Sequence, residues 1–234
     1  MSTKFLNIRY KEILPDNFTI TLLEEKYINA ISVSENKTNS LYMGNIEIQL
    51  LKNIVASIEF KEIEIILDTK YKIGLGNSTI NININKHLFN HTVGEGILDK
   101  LPIAIDTEEG INSACQLIQQ YIEQEATPFF NYWHDIRDFL PFLETDEISS
   151  LSDMFSGDAL FKKIIIWKLC SHPQYSEFTT KKTAALTQRL NDIPNDKFFK
   201  NNYNRYLKIL KTLEKTKPLY EWDYSYLIQK PYVR

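Results

Sequence analysis

The sequence predicts an α+β fold in which an N-terminal antiparallel sheet is followed by a C-terminal helical half with an aromatic-rich tail. Residues 17 to about 105 are rich in Ile and Thr and alternate with a period of two, which is typical of strands with one solvated face. From about residue 106, apolar residues recur at steps of three and four, as on helices that lie against a core. Aromatic side chains then crowd residues 217–234.

The strand signals are clearest between residues 45 and 85. NIEIQL (45–50) and EIEIIL (62–67) are both predicted as strands. The Asn-Ile alternation over residues 81–85 predicts another strand, with asparagine on its solvated face. Residues 35–40 and 74–77 are predicted turns. In IVASIEF the alternate residues that share one apolar face are Ile54, Ala56, Ile58 and Phe60.

Two histidines between the predicted strands raise the question of a metal site. His87 and His91 are four residues apart and Glu95 follows at the same interval, so on a helix all three would lie along one side. Gly94 and Gly96 argue against a helix there, and a third ligand one turn farther away reaches a shared metal poorly. The sequence therefore predicts a polar loop, with no metal and no other cofactor.

The helical half is predicted to begin with two helices. Asp106 and Glu109 have the spacing of a capping box, which predicts a helix from Asp106. Thr127-Pro128 ends this helix and starts the next one. The apolar stripe of the first helix consists of Ile111, Ala114, Cys115, Ile118 and Ile122. The stripe of the second consists of Phe129, Trp133, Ile136 and Leu140.

Three further helices are predicted in the rest of the chain. The first starts after Ser156 or Asp158 and is apolar on more than one side. The others cover about residues 176–190 and 195–216. Cys115 and Cys170 both fall on apolar helix faces, which favours buried free thiols over a disulfide or a metal site.

Charge divides the chain more sharply than its net charge of -3 indicates. Residues 160–234 contain 15 Lys and Arg against 6 Asp and Glu, whereas residues 1–159 contain 12 against 24. The sequence thus predicts a strand-rich acidic half, residues 1–105, and a helical half, residues 106–234, that is basic from about residue 160. These halves form either two units or one continuous core. The charges alone leave open whether the halves attract each other or one of them binds a charged partner.

The last predicted helix and the tail supply the candidate binding residues. Opposite an apolar seam, the helix carries Lys197, Lys200, Lys208, Lys211 and Lys215. These lysines form either a solvated face or a cationic stripe for phosphates or an acidic partner. In the tail, the residues that alternate with polar ones are Tyr220, Trp222, Tyr224 and Tyr226. Their rings are expected on one side of an extended strap that either closes over the helical core or presents a contact surface for protein or unstacked bases.

The run of residues 76–143 resembles a class of uncharacterised bacterial domains. In that class a small sheet leads into a helix and then into a Pro-Phe-Phe corner, here Pro128, Phe129 and Phe130. Some members of the class are suspected to be immunity or accessory proteins beside toxin genes. The resemblance covers less than a third of the chain and rests on packing residues, so it implies an interaction role and carries over no active site.

These observations favour a non-enzymatic, cytoplasmic protein-interaction module of the immunity or accessory kind, with the acidic first half or the tail as its contact surface. An acidic surface of this kind would complement a basic partner protein. No window approaches the roughly 20 apolar residues of a membrane span, and the first residues lack the long apolar core of a secretory signal. The neighbours His134 and Asp135 diverge on a helix, so the sequence shows no oriented acid–base pair. A nucleic-acid-binding protein that uses the basic half is one alternative. An enzyme whose site is assembled from distant residues is another.

Overall fold

The computed structural model describes residues 9, 11–23, 27–44, 50–67, 78–89, 91–145 and 151–233. It confirms the α+β prediction, with an antiparallel sheet ahead of a helical half. A separate two-stranded ladder pairs β4 (Leu50–Leu51) with β7 (Ile103–Ala104). In spatial order, the strands of the main sheet are β1 (Thr19–Leu23), β2 (Tyr27–Val33), β3 (Lys37–Gly44), β5 (Asn53–Phe60) and β6 (Ile80–Asn81).

Helical segments make up most of the described chain after the sheet. The α-helices are α1 (Lys61–Leu67), α2 (Ile84–Phe89), α3 (Glu108–Tyr121), α4 (Thr127–Tyr132), α5 (Ala159–Leu169), α6 (Tyr175–Asp192) and α7 (Lys197–Lys215). The π-helical turn Ile122–Ala126 joins α3 to α4. Short 3-10 helices occur at Leu98–Lys100, Ile136–Phe142 and Tyr224–Leu227. None of the helices in the described ranges combines the length and the apolar character needed to cross a bilayer.

The strand register aligns the buried faces of the sheet. Leu41 of β3 pairs with Ala30 on one side and Ala56 on the other, and all three are at most 1% exposed. The predicted apolar face of IVASIEF is confirmed, because its alternate residues from Ile54 to Phe60 are all buried. The predicted strand 45–50, apart from Leu50, and the predicted turn 74–77 lie outside the described residues.

The prediction of a strand over residues 62–67 is wrong, because this segment forms α1. Its buried residues are Ile63, Glu64 and Leu67, which share one helical face, whereas Ile65 is 76% exposed. The helix packs against α5 and α7. Packing against two helices thus overrides the preference of isoleucine for strands.

The predicted strand over residues 81–85 is also wrong beyond Asn81. The chain turns at Ile82, and α2 begins at Ile84. The turn still buries the isoleucines, since Ile80, Ile82 and Ile84 are at most 1% exposed. Asn85 is fully buried instead of solvated, and its side-chain amide donates a hydrogen bond to the Tyr232 hydroxyl over 2.9 Å.

The helix predicted from Asp106 starts one residue later than expected. Thr107 is its N-cap, and the Thr107 hydroxyl accepts a hydrogen bond from the backbone amide of Gly110 over 3.1 Å. The predicted cap at Asp106 is therefore wrong. The apolar stripe is confirmed from Ile111 to Ile122, with Cys115 only half-buried.

The second predicted helix is interrupted, although Phe129, Trp133, Ile136 and Leu140 are all buried as expected. Helix α4 ends at Tyr132, and the 3-10 helix Ile136–Phe142 follows. Asp138 fixes the break, because its carboxylate accepts the amides of His134 and Asp135 over 2.7 and 3.0 Å. A continuous helix would leave neither amide available to this carboxylate.

One cluster of buried residues extends from the sheet through α5 to α7. Helix α5 lies in the middle of this cluster and is buried on nearly every side, as its apolar run predicted. Two of its buried residues are charged. Lys163 is fully buried, and its ammonium lies 4.1 Å from the Trp167 ring centroid and 4.3 Å from that of Phe178. Such cation–π contacts replace part of the lost hydration.

Lys162 connects α5 to the sheet and to α1. Its ammonium donates to the carbonyls of Ser78, Thr79 and Ser156 over 3.3, 3.1 and 3.0 Å. The carboxylate of Glu64 lies 3.7 Å away and also accepts the Thr79 hydroxyl over 2.9 Å. Burial lowers the pKa of Lys162, and Glu64 opposes that effect. The network therefore holds three elements in one arrangement.

We expect Lys162→Met to lower the free energy of unfolding by about 3–5 kcal/mol, because it leaves the Glu64 carboxylate buried without its cation. Urea denaturation measures the change. Adding Glu64→Gln should restore part of the stability, since it removes the unpaired charge. Lys211→Met, on the exposed side of α7, is the control and should change the unfolding free energy by at most about 0.5 kcal/mol. Equal effects of the two lysine substitutions would contradict this account.

Candidate functional site

Five lysines lie on one side of α7, which we call the α7 lysine face: Lys197, Lys200, Lys208, Lys211 and Lys215. All five are exposed. The opposite side of the helix buries Tyr206, Ile209 and Leu213 in the core. With 3.6 residues per turn, the lysines fall within an arc of about 80° and extend over about 27 Å. The helical periodicity that the sequence predicted thus places all of them on one surface.

Two ion pairs that join residues 160–234 to residues 1–159 involve basic side chains outside this row. Arg205 binds Asp158 through two hydrogen bonds of 2.9 and 2.8 Å, and Lys230 binds Asp138 over 2.7 Å. Within the described ranges, Lys197, Lys200, Lys211 and Lys215 form no ion pair. The positive charge of residues 160–234 is therefore only partly neutralised by carboxylates of residues 1–159.

A cleft of about 410 Å³ lies beside the α7 lysine face, between α1 and α7. Leu67 and Ile209 are buried residues of its lining, and Ile65 is a strongly exposed one. Arg205 and Lys208 also line it. The cleft thus has apolar residues in its lining and basic residues at its edge, and one of those, Arg205, is bound to Asp158.

The aromatic tail is packed mainly against the helical half. The guanidinium of Arg137 lies over the rings of Tyr220 and Tyr226, at 4.2 and 4.5 Å from their centroids. Backbone amides of Leu219 and Tyr220 donate to the carbonyl of Leu169 over 2.8 and 3.0 Å. These contacts favour the closing strap over an exposed row of rings.

The other two tail aromatics differ in exposure. Trp222 packs edge-on against His172, with 4.5 Å between the ring centroids. Tyr224 is 69% exposed. The expected one-sided row of rings is not formed, because the 3-10 helix that begins at Tyr224 ends the alternation. The tail contacts Arg137 and His172, neither of which belongs to α7. The predicted binding lysines and the predicted binding aromatics therefore do not form one common site.

His172 lies buried between α5 and the tail. Its ring stacks on Trp167 with 3.8 Å between centroids. Its Nε2 lies 2.9 Å from the Glu144 carboxylate, and its Nδ1 accepts the Gln174 amide over 3.2 Å. A neutral ring with its proton on Nε2 satisfies both contacts. Burial lowers the pKa of His172, Glu144 opposes this effect, and the nearby Lys163 ammonium adds to it.

His91 is not brought together with Glu95. Its Nε2 points inward to the carboxylate of Glu125 over 2.8 Å, whereas Glu95 is exposed. His87 lies on α2, and its side chain is outside the described part. Among the residues with a described placement, no group of three or more His, Cys, Asp and Glu has an arrangement that would hold a metal ion. The pairing with Glu125 was missed because it depends on the π-helical turn, which no sequence pattern marked.

Comparison of the chain with models of known protein families, with curated proteins and with solved structures finds no match. The resemblance to bacterial domains with a Pro-Phe-Phe corner therefore stays a prediction.

We expect the free energy of unfolding to fall as the pH drops below about 6.5, because the unfolded chain takes up a proton that buried His172 resists. His172→Asn keeps an acceptor near the Gln174 amide but removes the titrating ring, so the decline should become shallower. Urea denaturation at about pH 7 and about pH 5 measures the slope. His134→Asn, at an exposed histidine, is the control and should leave the slope unchanged. An unchanged slope in His172→Asn would contradict the assignment.

We expect Trp222→Ala to lower the free energy of unfolding by about 2 kcal/mol, because it removes a partly buried ring from the surface of His172. Tyr224→Ala is the matched control within the tail and should cost no more than about 0.5 kcal/mol. Thermal or urea denaturation of both variants measures the difference. A larger loss in Tyr224→Ala than in Trp222→Ala would contradict the packed arrangement of the tail.

Proposed function

We propose that the protein is a non-enzymatic binding module that contacts an acidic surface of another protein through the α7 lysine face. The observation that carries the proposal is the row of five exposed lysines on the side of α7 that faces away from the core. A solvated helix face needs no such uniform charge, since mixed charges keep a surface soluble equally well. The single acidic residue of α7, Glu214, does not offset the row.

The cleft between α1 and α7 favours a protein as the partner. Its lining includes the strongly exposed apolar side chain of Ile65 together with Lys208. Protein interfaces combine an apolar centre with a charged rim, and the cleft and the lysines supply these two parts. The tail rings that would stack on unpaired bases are largely engaged by Arg137 and His172 instead.

Electrostatic attraction between the lysines and an acidic partner is expected to affect the affinity, its dependence on salt and the association rate. One exposed ion pair contributes about 0.2–1 kcal/mol, so five lysines add a moderate and salt-sensitive share of the affinity. Their larger effect is on the association rate, because a long row of like charge steers an acidic partner before contact. An immunity or accessory role, and a contact between the acidic half and a basic partner, stay predictions.

We expect the pair of substitutions Lys200→Glu and Lys211→Glu to reduce partner recovery about tenfold, which corresponds to about 1.4 kcal/mol of binding free energy. Co-purification from the cells that naturally make the protein, quantified by mass spectrometry at two salt concentrations, measures recovery. Lys52→Glu with Lys86→Glu is the matched control, because both lysines are exposed and neither is on α7. Recovery of no specific protein, or equal loss in both double variants, would contradict the proposal.

A nucleic acid is the second candidate partner, favoured by the same lysine row. Phosphate contacts make the logarithm of the binding constant fall linearly with the logarithm of the salt concentration, with a slope of about −0.9 per contact. A labelled duplex titrated at several salt concentrations tests this alternative. Lys200→Glu with Lys211→Glu should then reduce the slope by about two contacts. Absence of binding at low salt excludes the alternative.

A further inference from the structure

The end of the tail is held in the manner of a docked peptide. We call residues 228–233 the C-terminal segment. Within the described chain it belongs to no helix or strand, and its described backbone–backbone bond is the local one from the Ile228 amide to the Ser225 carbonyl, over 3.2 Å. Ile228 and Val233 are 74% and 72% exposed. Side-chain anchors therefore hold the segment in place.

Lys230 is the first anchor. Its ammonium binds the Asp138 carboxylate over 2.7 Å and lies 5.8 Å from the ring centroid of Tyr226. The Asp138 side chain is 3% exposed, and its second oxygen is already fixed by the amides of His134 and Asp135. The scaffold thus positions this carboxylate independently of the tail. The result is a preformed site for an ammonium group.

Tyr232 is the second anchor. Its ring stacks on Phe89 with 4.8 Å between centroids and 13° between planes. Its hydroxyl accepts a hydrogen bond from the buried amide of Asn85 over 2.9 Å. Between the two anchors, the Tyr132 hydroxyl donates to the Lys230 carbonyl over 3.3 Å. We call the surface formed by Asp138, Tyr132, Phe89 and Asn85 the groove. It contacts a lysine, a backbone carbonyl and an aromatic ring, in that order along the segment.

The geometry also allows the segment to leave. A cleft of about 510 Å³ lies between it and the surface formed by Tyr132, Asp138 and Pro141. The Lys230 side chain is 59% exposed, so solvent screens its ion pair with Asp138 and the pair holds the segment only weakly. Few contacts and partial solvent exposure are typical of segments that open locally without global unfolding.

We infer that this groove is a recognition site for a segment of a partner protein that carries a lysine and, two residues later, an aromatic residue. The chain's own C-terminal segment occupies the same groove and competes with the partner segment. The groove involves Asp138 and Asn85, so it is separate from the α7 lysine face and does not depend on the function proposed above. An external segment binds by replacing Lys230 on Asp138 and Tyr232 on Phe89. Because of the internal copy, the apparent dissociation constant of an external segment equals its intrinsic value divided by the fraction of time that the groove is free.

A labelled peptide with the sequence of residues 228–233 tests the inference in the full-length protein. By fluorescence anisotropy, the double variant Lys230→Met, Tyr232→Ala should bind this peptide about tenfold or more tightly than the unaltered protein, because its own segment no longer competes. Lys217→Met with Tyr224→Ala is the matched control, since both residues are exposed, lie in the tail and make no anchor contact. This control should bind as the unaltered protein does.

A peptide whose lysine is replaced by methionine separates specific docking from non-specific binding and should bind the double variant about two- to fivefold more weakly, as the loss of one partly exposed ion pair predicts. Equal binding of the two peptides, or no gain in the double variant, would overturn the inference. If the double variant loses its fold, the unaltered protein provides the second readout. Excess peptide should then move the amide resonances of residues 228–233 toward disordered-chain values, and unmoved resonances would overturn the inference. Self-association of the unaltered protein that the double variant abolishes would contradict the assignment to a different partner protein.

Discussion

The burial of α5 determines where the other parts of the helical half lie. This helix is surrounded by α1, by the 3-10 helix Ile136–Phe142 and by α6 and α7, and two of its buried residues are lysines. A buried ammonium is tolerated only where carbonyls, carboxylates or aromatic faces replace water. Lys162 obtains the first two from the ends of the sheet and from α1, and Lys163 obtains aromatic faces from Trp167 and Phe178.

This arrangement separates the basic residues of the second half into two groups. Lys162 pairs with Glu64 of the strand-rich half, whereas Arg205 and Lys230 bind Asp158 and Asp138 within the helical half. The lysines of α7 point away from the core, because the helix packs on α5 and α1 through Tyr206, Ile209 and Leu213. Basic residues therefore contribute to contacts within the molecule and also form an exposed cationic surface on α7.

Local patterns explain how much of this could be predicted from the sequence. The alternation from Ile54 to Phe60 and the periodicity of α7 were sufficient, because each element buries the face that its own pattern defines. The segment after Phe60 alternates too, yet it forms a helix that leaves Ile65 outside. Its burial is decided by α5 and α7, which lie about 100 residues or more further along the chain, and no local pattern contains that information.

The candidate sites show the same limit. The lysine row on α7 follows from helical spacing, so the sequence located it. The anchoring of Lys230 on Asp138 and of Tyr232 on Asn85 joins residues separated by 92 and 147 positions. Burial of Lys162 depends equally on distant carbonyls, although the apolar run around it was visible. Contacts of this kind are set by the fold as a whole, and residue types and spacing alone do not determine them.

Reductive methylation of lysines, followed residue by residue with mass spectrometry, tests most directly which lysines are buried in the folded protein and which are exposed. The account predicts that Lys197, Lys200, Lys211 and Lys215 react at the rate of exposed lysines, and that Lys162 and Lys163 react only after unfolding. Reaction of Lys162 at the rate of the α7 lysines in the folded protein would contradict it.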